Sequence, residues 1–479
     1  MLKEKRLFGY VTTKVYLCLL KKDVLKIVIV KTLKTRKRYL ALIFVCLTIL
    51  PAFAQGSWTL RQCLDYAREN NIQLQKSRIS QKEGEITLWQ DKGALFPSLS
   101  FATSQSIGFR PFEKNMAIVQ NGQVTQTSNK FTEQGSYGLN ASWTVWNGGI
   151  NHKNVKAQEV QNEITKLATA QSELSIQEQI AQLYVQILYS AEAKKVNEQL
   201  AETAKSQYER GVEMQKQGQM SKADVAQLEA QWRSAQYDIV NSETQVLNYK
   251  RQLKSLLELG INTPFDVAGS APSDEQVLAP IPSAQSTFEK ALNTRPEIRS
   301  AELSIKAADM GIDIAKRGYY PTIGVSASAG DSHYSGSNDK VGQQMKNNLN
   351  LSAGVNLSVP IFDNRRNKSA VEKAKLQKVT SELDLQDKKN ALSSTIENYW
   401  LNANSSQQRF LSARAKVESA QTSYELLDAQ FKNGLKNIVE LLQGRDNLVS
   451  AKQDELQSKY TTLLNIQLLK FYGGEEISM

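Results

Sequence analysis

The sequence predicts an α+β chain in which long helical rods carry short amphipathic β-hairpins, the whole arrangement being an internal duplication. Three observations predict it. A Pro-free stretch from Trp146 to Leu257 keeps a heptad spacing, the same stretch returns 216 residues later, and next to the rods the residue period drops to 2. In the first stretch Val225, Leu228, Trp232, Ala235, Ile239, Ser242, Val246, Tyr249, Leu253 and Leu256 step alternately by 3 and 4 residues, and all but Ser242 are apolar. Such a 3.5-residue repeat belongs to a helix that supercoils left-handedly on its neighbours instead of sitting on a globular core. The preceding arm, residues 150–216, has no Pro and only Gly211 as a weak point. At about 1.5 Å per residue it makes a rod of roughly 100 Å, and the two arms meet at Gly218.

From the amino terminus onward, charge is the first feature. The formal net charge of the 479 residues is +11. Residues 1–38 hold twelve Lys or Arg against Glu4 and Asp23, and the remainder holds 47 basic and 46 acidic residues. A near-neutral body excludes a protein that grips a phosphate backbone, so no nucleic acid partner is expected. Residues 39–50 (YLALIFVCLTIL) form an apolar core too short to span a bilayer, followed by Pro51 and the small-x-small Ala52-Phe53-Ala54. Residues 1–54 therefore read as an extended amino terminus and secretory signal peptide, with Gln55 as the first mature residue. Cys63 alone remains beyond it, which excludes an internal disulfide or a cysteine metal cluster.

Two repeats follow, residues 58–259 and 287–472. Adding 216 carries Trp146 onto Phe362, Tyr208 onto Tyr424, Gly218 onto Gly434 and Asp224 onto Glu440. Upstream the offset is 224, taking Ala67 to Ala291, Leu74 to Ile298 and Pro97 to Pro321. The eight-residue difference must lie between the Pro and the aromatic of each half, in a segment of variable length. Residues 260–286 hold Pro264, Pro272, Pro280 and Pro282 and read as a linker with a short strand at 265–267; residues 473–479 are a short tail.

The segments of period 2 are hairpins, expected at 98–146 and 322–362. Leu99, Phe101, Thr103, Gln105, Ile107 and Phe109 alternate with Ser98, Ser100, Ala102, Ser104, Ser106 and Gly108. Tyr137 to Val145, Ile323 to Ala329 and Leu349 to Val359 alternate in the same way, each with one apolar face and one face of Ser, Gly, Asn and Thr. Strands of about 9 to 11 residues suit a tilted membrane crossing, and no globular sequence is left over for them to pack on. Phe96, Trp146, Tyr319, Tyr320 and Phe362 collect at one end and Phe109 and Phe112 at the other, as interfacial girdles do. The inserts 111–135 and 330–348 read as loops on the far side. A bilayer tolerates no open sheet edge, so four strands must close with copies of themselves. A dimer gives eight strands and a filled interior; a trimer gives twelve and a lumen, which suits the hydrophilic faces better.

A duplicated order of helix, Pro, strand, loop, strand, aromatic, long helix, Gly tip and helix resembles the TolC family of outer-membrane efflux proteins, the outer membrane factors. The residues that carry it include Tyr208…Gly218…Asp224-Val225 and Leu95-Phe96-Pro97-Ser98-Leu99, and it covers Trp58 to Phe471. It implies an α+β membrane protein: a homotrimer with a 12-stranded outer-membrane β-barrel continued by an α-helical coiled-coil barrel across the periplasm. It also implies a periplasmic membrane-fusion adaptor and an inner-membrane pump as partners, in efflux or type I secretion. The family's aperture falls on Glu440 and Gln443 here, its tip latch on Asp224, Lys436 and Phe431, and its adaptor-docking tips on Gly218, Gln219, Met220, Gly434 and Leu435. Gln443 stands where the family has an acid and Phe431 where it has a tyrosine, leaving Asp224 to Lys436 as the one matching link. An exposed pair of that kind contributes only about 0 to 1 kcal/mol, and Gly218 and Gly434 read equally as plain helix caps.

Nothing in the pattern suggests an enzyme or a cofactor. His152 and His333 are far apart and lack a partner for metal or base chemistry, and Gly148-Gly149 reads as a strand-to-helix turn. The competing reading is a secreted coiled-coil scaffold with soluble hairpins, which would need no detergent to dissolve.

Overall fold

The computed structural model describes residues 57–112, 116–120, 123–127, 130–269, 271–335 and 339–478. The leader expected over residues 1–54 lies outside them. Residues 58–263 and 267–479 form one compact unit, to which every helix and strand of the described residues belongs.

Its element lengths repeat in pairs. Helix α1 (Leu60–Asn70) and helix α6 (Ala284–Thr294) each have 11 residues, and α2 (Ile72–Gly93) and α7 (Pro296–Arg317) each have 22. The rods α3 (Ile150–Lys216) and α9 (Arg366–Lys432) each have 67, and the return arms α4 (Lys222–Leu256) and α10 (Ile438–Tyr472) each have 35. The first two pairs sit at the 224-residue offset and the last two at 216. A four-residue helix, α5 (Asp274–Val277), lies in the Pro-rich connection between the halves.

The strands are β1 (Ser98–Phe109), β4 (Phe131–Trp146), β5 (Thr322–Tyr334) and β6 (Asn350–Ser358), forming one antiparallel sheet in the order β1-β4-β5-β6. Two expected boundaries move. The first hairpin is longer than its alternation indicated: β4 begins at Phe131, inside the expected loop, because residues 131–135 are already paired with 105–109. In the second, β6 stops at Ser358 and residues 359–365 are not strand. The inserts also carry structure of their own, a small hairpin of β2 (Met116–Gln120) with β3 (Gln123–Thr127) and a short helix α8 (Val341–Asn347). In place of the strand expected at 265–267, Val267 makes a single parallel bridge to Trp58.

Both strand-to-rod junctions turn through two left-handed residues at matching positions. Gly148 and Gly149 (φ 71° and 78°) do this in the first half and Asn364 and Arg365 (φ 52° and 66°) in the second. Arg365 occupies this region at a steric cost that Gly149 avoids. The N-terminal helix pairs kink onto the return arms: Asn71 at the α1–α2 corner donates from Nδ2 to Leu256 O (2.9 Å), and Arg295, its counterpart at the α6–α7 corner, lies 4.2 Å over the ring of Tyr472. Residue 472 is the 216-offset equivalent of Leu256, so the duplication repeats a tertiary contact and not only a helix pattern. Cys63 is buried here, and burial pushes its thiol up to about 12, which leaves it inert.

Candidate functional site

Residues directly opposite each other in an antiparallel ladder project from the same face, so the register assigns each side chain to one of two surfaces. One row runs Leu99, Ala141, Ala327, Ala353; the next Phe101, Leu139, Ala329, Leu351; and Trp143, Val325 and Val355 flank them. That face is apolar yet exposed, Phe101 at 66% and Val355 at 74% of their full areas. The opposite face runs Ser98, Ser142, Ser326, Gly354, then Ser100, Asn140, Ser328, Ser352, with Ser104 beside Ser136. Ser98–Ser142, Ser104–Ser136 and Ser328–Ser352 join their hydroxyls at 2.8, 2.8 and 2.7 Å. A sheet with one oily face and one hydroxyl face separates hydrocarbon from water. From Leu99 to Phe109 this row of β1, apolar but for Thr103 and Gln105, climbs about 34 Å along the strand, or roughly 26 Å at a 40° tilt, the height of the apolar band of outer-membrane barrels.

Aromatics mark both rims. Trp143 Nε1 donates to Leu95 O (2.9 Å) and Trp146 packs edge-on to Tyr320 (6.1 Å) at the helix end, while Phe109 meets Phe131 (4.6 Å) at the far end. Strand β5 runs past the expected loop boundary and carries Asp331 and His333 onto the otherwise apolar face, level with Thr103 and Gln105 of β1. His333, expected in a loop, is buried over Gly135 and stacks on Tyr137 (5.9 Å). Among the described residues no group of His, Cys, Asp and Glu could hold a metal.

Among the described residues, strands β1 and β6 each have a partner on one side only. The helices continue the same order: α3 packs on α2, α7 on α3 and α9 on α7, so α2 and α9 are the outer members. Each carries an unpartnered apolar stripe at heptad spacing, Ile72, Ile79, Ile86 and Trp89 on α2, and Leu376, Val379 and Leu383 on α9. On α7 the counterpart of Ile79 is Leu303, which is buried between α3 and α9. The two open edges of the sheet thus align with two open edges of the helical layer.

At the opposite end of the rods, Gly218 (φ 75°) and Gly434 (φ 69°) turn each helical hairpin, and a Cβ at either would meet nothing within 4 Å. Leu435 is exposed beside Gly434. The return arms start on matched caps. Ser221 Oγ accepts from the Asp224 amide (3.1 Å) and Asn437 Oδ1 from the Glu440 amide (2.9 Å), so both acids sit in the first turn, where the helix dipole favours negative charge. Within one chain each residue of the expected tip latch has another partner. Asp224 accepts from the Ser221 hydroxyl (2.7 Å) and Lys436 pairs with Glu440, four residues along its own chain; no hydrogen bond or ion pair among the described residues joins Asp224 to Lys436. Phe431 is buried in an apolar cluster with Leu228, Tyr424, Ile438, Leu441, Leu442 and Leu448, against which Met220 packs. Glu440 keeps an exposed side chain, and Gln443 is exposed, donating to Asn447 Oδ1 (3.5 Å).

The polar contacts that do join the two hairpins lie higher up. Gln207 Nε2 on α3 donates to the Tyr424 hydroxyl (2.7 Å) and to Asp428 Oδ1 (3.3 Å) on α9. Burial is the main cause that raises the Tyr424 phenol, keeping it protonated. On the return arms, Gln231, with its amide oxygen turned inward, accepts from the buried Arg445 guanidinium, whose pKa is lowered by the same burial. Sequence reasoning missed these residues. The legible hint was Arg445, a charged residue seven positions after Ile438 in a seam otherwise filled by Leu441, Leu442 and Leu448.

This is the architecture seen in solved outer-membrane channels. The fold superimposes on the Campylobacter jejuni CmeC outer membrane channel with a TM-score of 0.70 at 20% identity, covering 88% of this chain and 87% of that one. It also matches CusC, described as forming a transmembrane channel, with a TM-score of 0.72 at 18% identity over 87% and 92% of the two chains. A family profile described as outer membrane efflux protein matches residues 63–258 and 287–475, and the chain belongs to that family. Among its relatives are outer membrane protein TolC of Salmonella enteritidis, 28% identical over 190 residues, and the alkaline protease secretion protein AprF of Pseudomonas aeruginosa, 25% identical over 260 residues. Those matches cover 39% and 54% of this chain and span 39% and 52% of the relatives' own lengths.

Proposed function

We propose that three copies of the chain close into a passive conduit that carries solutes or unfolded proteins from the periplasm out through the outer membrane. The observation that carries this reading is the coincidence of edges: β1 and β6 unpaired in the sheet, and apolar stripes on α2 and α9 on the same two sides. Unpaired backbone groups in hydrocarbon cost several kcal/mol each, so a sheet that bears an oily face must close. Three copies supply twelve strands, enough for a water-filled interior lined by the serine face. The names of relatives support export, since one is called a secretion protein and others efflux pump outer membrane proteins. A periplasmic adaptor and an inner-membrane pump are the partners this reading requires, because nothing in the chain provides energy coupling.

The hairpin tips form the closed end. Glu440 and Gln443 line the aperture, giving one ring of three carboxylates in the trimer. The tip set of Asp224, Lys436 and Phe431 holds this end shut: Lys436 neutralises Glu440 in the resting state, Phe431 anchors the cluster, and Gln207–Tyr424–Asp428 with Gln231–Arg445 hold the two hairpins of one chain together. Gly218, Gln219 and Met220 with Gly434 and Leu435 present the surface an adaptor grips. Single-channel recording on purified trimer in a planar bilayer tests the reading. Gln207→Ala and Arg445→Ala are expected to raise resting conductance several-fold; absence of current in the wild type and in every tip and latch variant refutes it.

A further inference from the structure

Halfway up the second hairpin a cavity of about 650 Å³ opens between α9 and α10, lined by Ser405, Gln408, Arg409, Ser412, Lys416 and Asp454, with Ala413, Ser458 and Thr461 at its floor and far wall. The duplication explains why it is there. At the equivalent positions of the first hairpin stand Tyr189, Val196, Asn197 and Leu200, where the second has Ser405, Ser412, Ala413 and Lys416. Asn197 reaches across that first groove and donates to Ser242 Oγ (2.7 Å). In the second hairpin the reaching side chain is truncated to Ala413, while Ser458, the counterpart of Ser242, keeps the bond back along its own helix, to Asp454 O (2.7 Å), that Ser242 makes to Asp238 O (2.8 Å). The lining is therefore specific to one half of a duplicated pair: Tyr189, Val196 and Asn197 give way to Ser405, Ser412 and Ala413, and Ala193 and Leu200 to the cations Arg409 and Lys416.

Its orientation follows from helical phase. On α9, Gln407 donates to Val277 O (2.9 Å) and Arg414 pairs with Asp274 (3.0 Å), both toward α5; on α10, Lys459 pairs with Asp274 (2.9 Å). At 3.6 residues per turn, Ser405, Arg409, Ser412 and Lys416 lie roughly 150–190° around α9 from that side, and Asp454, Gln457 and Thr461 roughly 140–160° around α10 from Lys459. In a closed ring of helices the α5 linker must sit outside, which turns the hollow to the interior. Lys416 is held by Asp454 (2.9 Å), whereas Arg409 makes no hydrogen bond or ion pair among the described residues. The hollow thus carries one net positive charge per chain, and among the described residues the Arg409 donors meet no acceptor.

We propose that this hollow is a binding station inside the conduit for an organic oxyanion, a sulfonate, carboxylate or phosphate ester, whose charged group is held by Arg409 and Lys416 and whose body rests among the serine and threonine hydroxyls. The lumenal placement rests on the conduit reading; the binding chemistry does not. Arg409 supplies the planar two-donor fork that suits an oxyanion, and Lys416 a second charge about two helical turns further on.

The experiment is calorimetric titration of purified trimer in detergent with naphthalene-1,5-disulfonate, and with uncharged 1-naphthalenemethanol in parallel. The disulfonate is expected to bind and the alcohol not. Arg409→Gln should weaken disulfonate binding roughly tenfold, the loss of one charge-assisted contact. Ala413→Asn, which restores the first hairpin's residue and so keeps a side chain the fold already accepts, should abolish it. Equal disulfonate binding by wild type, Arg409→Gln and Ala413→Asn, or equal binding of both probes, overturns the proposal. Conductance of the same proteins separates the two ideas. Conducting trimers with substitution-independent binding leave the conduit and remove the station; silent trimers with Arg409-dependent binding remove the conduit and leave the station.

Discussion

The hairpins of the two halves are each locked by a glycine notch, but on opposite arms. In the first, Gly211 on α3 receives Leu228 of α4; a Cβ on Gly211 would come 2.6 Å from Leu228 Cδ1 and 3.2 Å from Met220 Sδ. In the second, Gly444 on α10 receives Leu427 of α9, and its Cβ would come 2.5 Å from Leu427 Cδ1. Residue 427 is the counterpart of 211 and 444 of 228, so glycine and leucine have changed places. Leu228 is 1% exposed and belongs to the apolar cluster near the tips. Leu228→Gly removes a filled core position and adds a helical glycine, about 4 kcal/mol in all. Gly211→Leu inserts four carbons into space Leu228 occupies, about 3 kcal/mol of overpacking less about 1 kcal/mol gained in helix propensity. The double substitution Gly211→Leu/Leu228→Gly recreates the arrangement of the second hairpin and should cost about 1 kcal/mol, a coupling of roughly 5 kcal/mol. Urea unfolding of the trimer, followed by circular dichroism, measures all three. Additive losses in the double variant would refute the reasoning, because they would mean that the leucine and the glycine do not share one space.

Four further outcomes follow from the same geometry. Arg365→Gly relieves a left-handed arginine and should stabilise the protein by about 1 kcal/mol, against no gain for a Gly at Arg366, read by calorimetry. Ile79→Asp or Leu376→Asp places a charge on an edge stripe and should leave chains that fail to assemble, read by native gel. Tyr424→Phe keeps the ring in its cluster but removes the acceptor for Gln207, so conductance should rise while thermal stability changes by less than about 1.5 kcal/mol. Asp274 is held below its usual range first by the hydrogen bond from Lys459, so its contribution is present above the unfolded value of 3.8 and is lost as pH falls through the lower folded value. Below pH 3.8 the α5 segment should therefore become progressively more open to pepsin, and Asp274→Asn should open it at higher pH, where a protease such as trypsin reads it.

Much of this molecule was legible in sequence because its two kinds of layer have unlike periods. The heptad seam through Val225, Leu228 and Trp232 and the alternation through Leu99 and Phe101 survive any uncertainty about boundaries, and the offsets of 224 and 216 reappear as helices of identical length. Strand ends were less legible. Residues 131–135 (FTEQG) lack an alternating pattern, and it is their pairing with residues 105–109 of β1 that extends β4 that far. The tips were read by resemblance, which put Asp224 and Lys436 in contact. Locally, Ser221 and Asn437 each stand three residues before an acid, a cap pattern that accounts for the first-turn placement of Asp224 and Glu440. Gln207 and Arg445 could not be found that way: periodicity shows that a residue faces inward, but not which inward residue from a segment 200 positions away it will meet.

Every part of the account depends on the edges of one sheet. Sedimentation of the detergent-extracted protein, with the detergent density-matched, gives the number of chains directly. Three chains per particle, resistant to mild denaturant and separating only on heating, is the predicted result. A single chain that sediments alone and stays dissolved when the detergent is removed would contradict it.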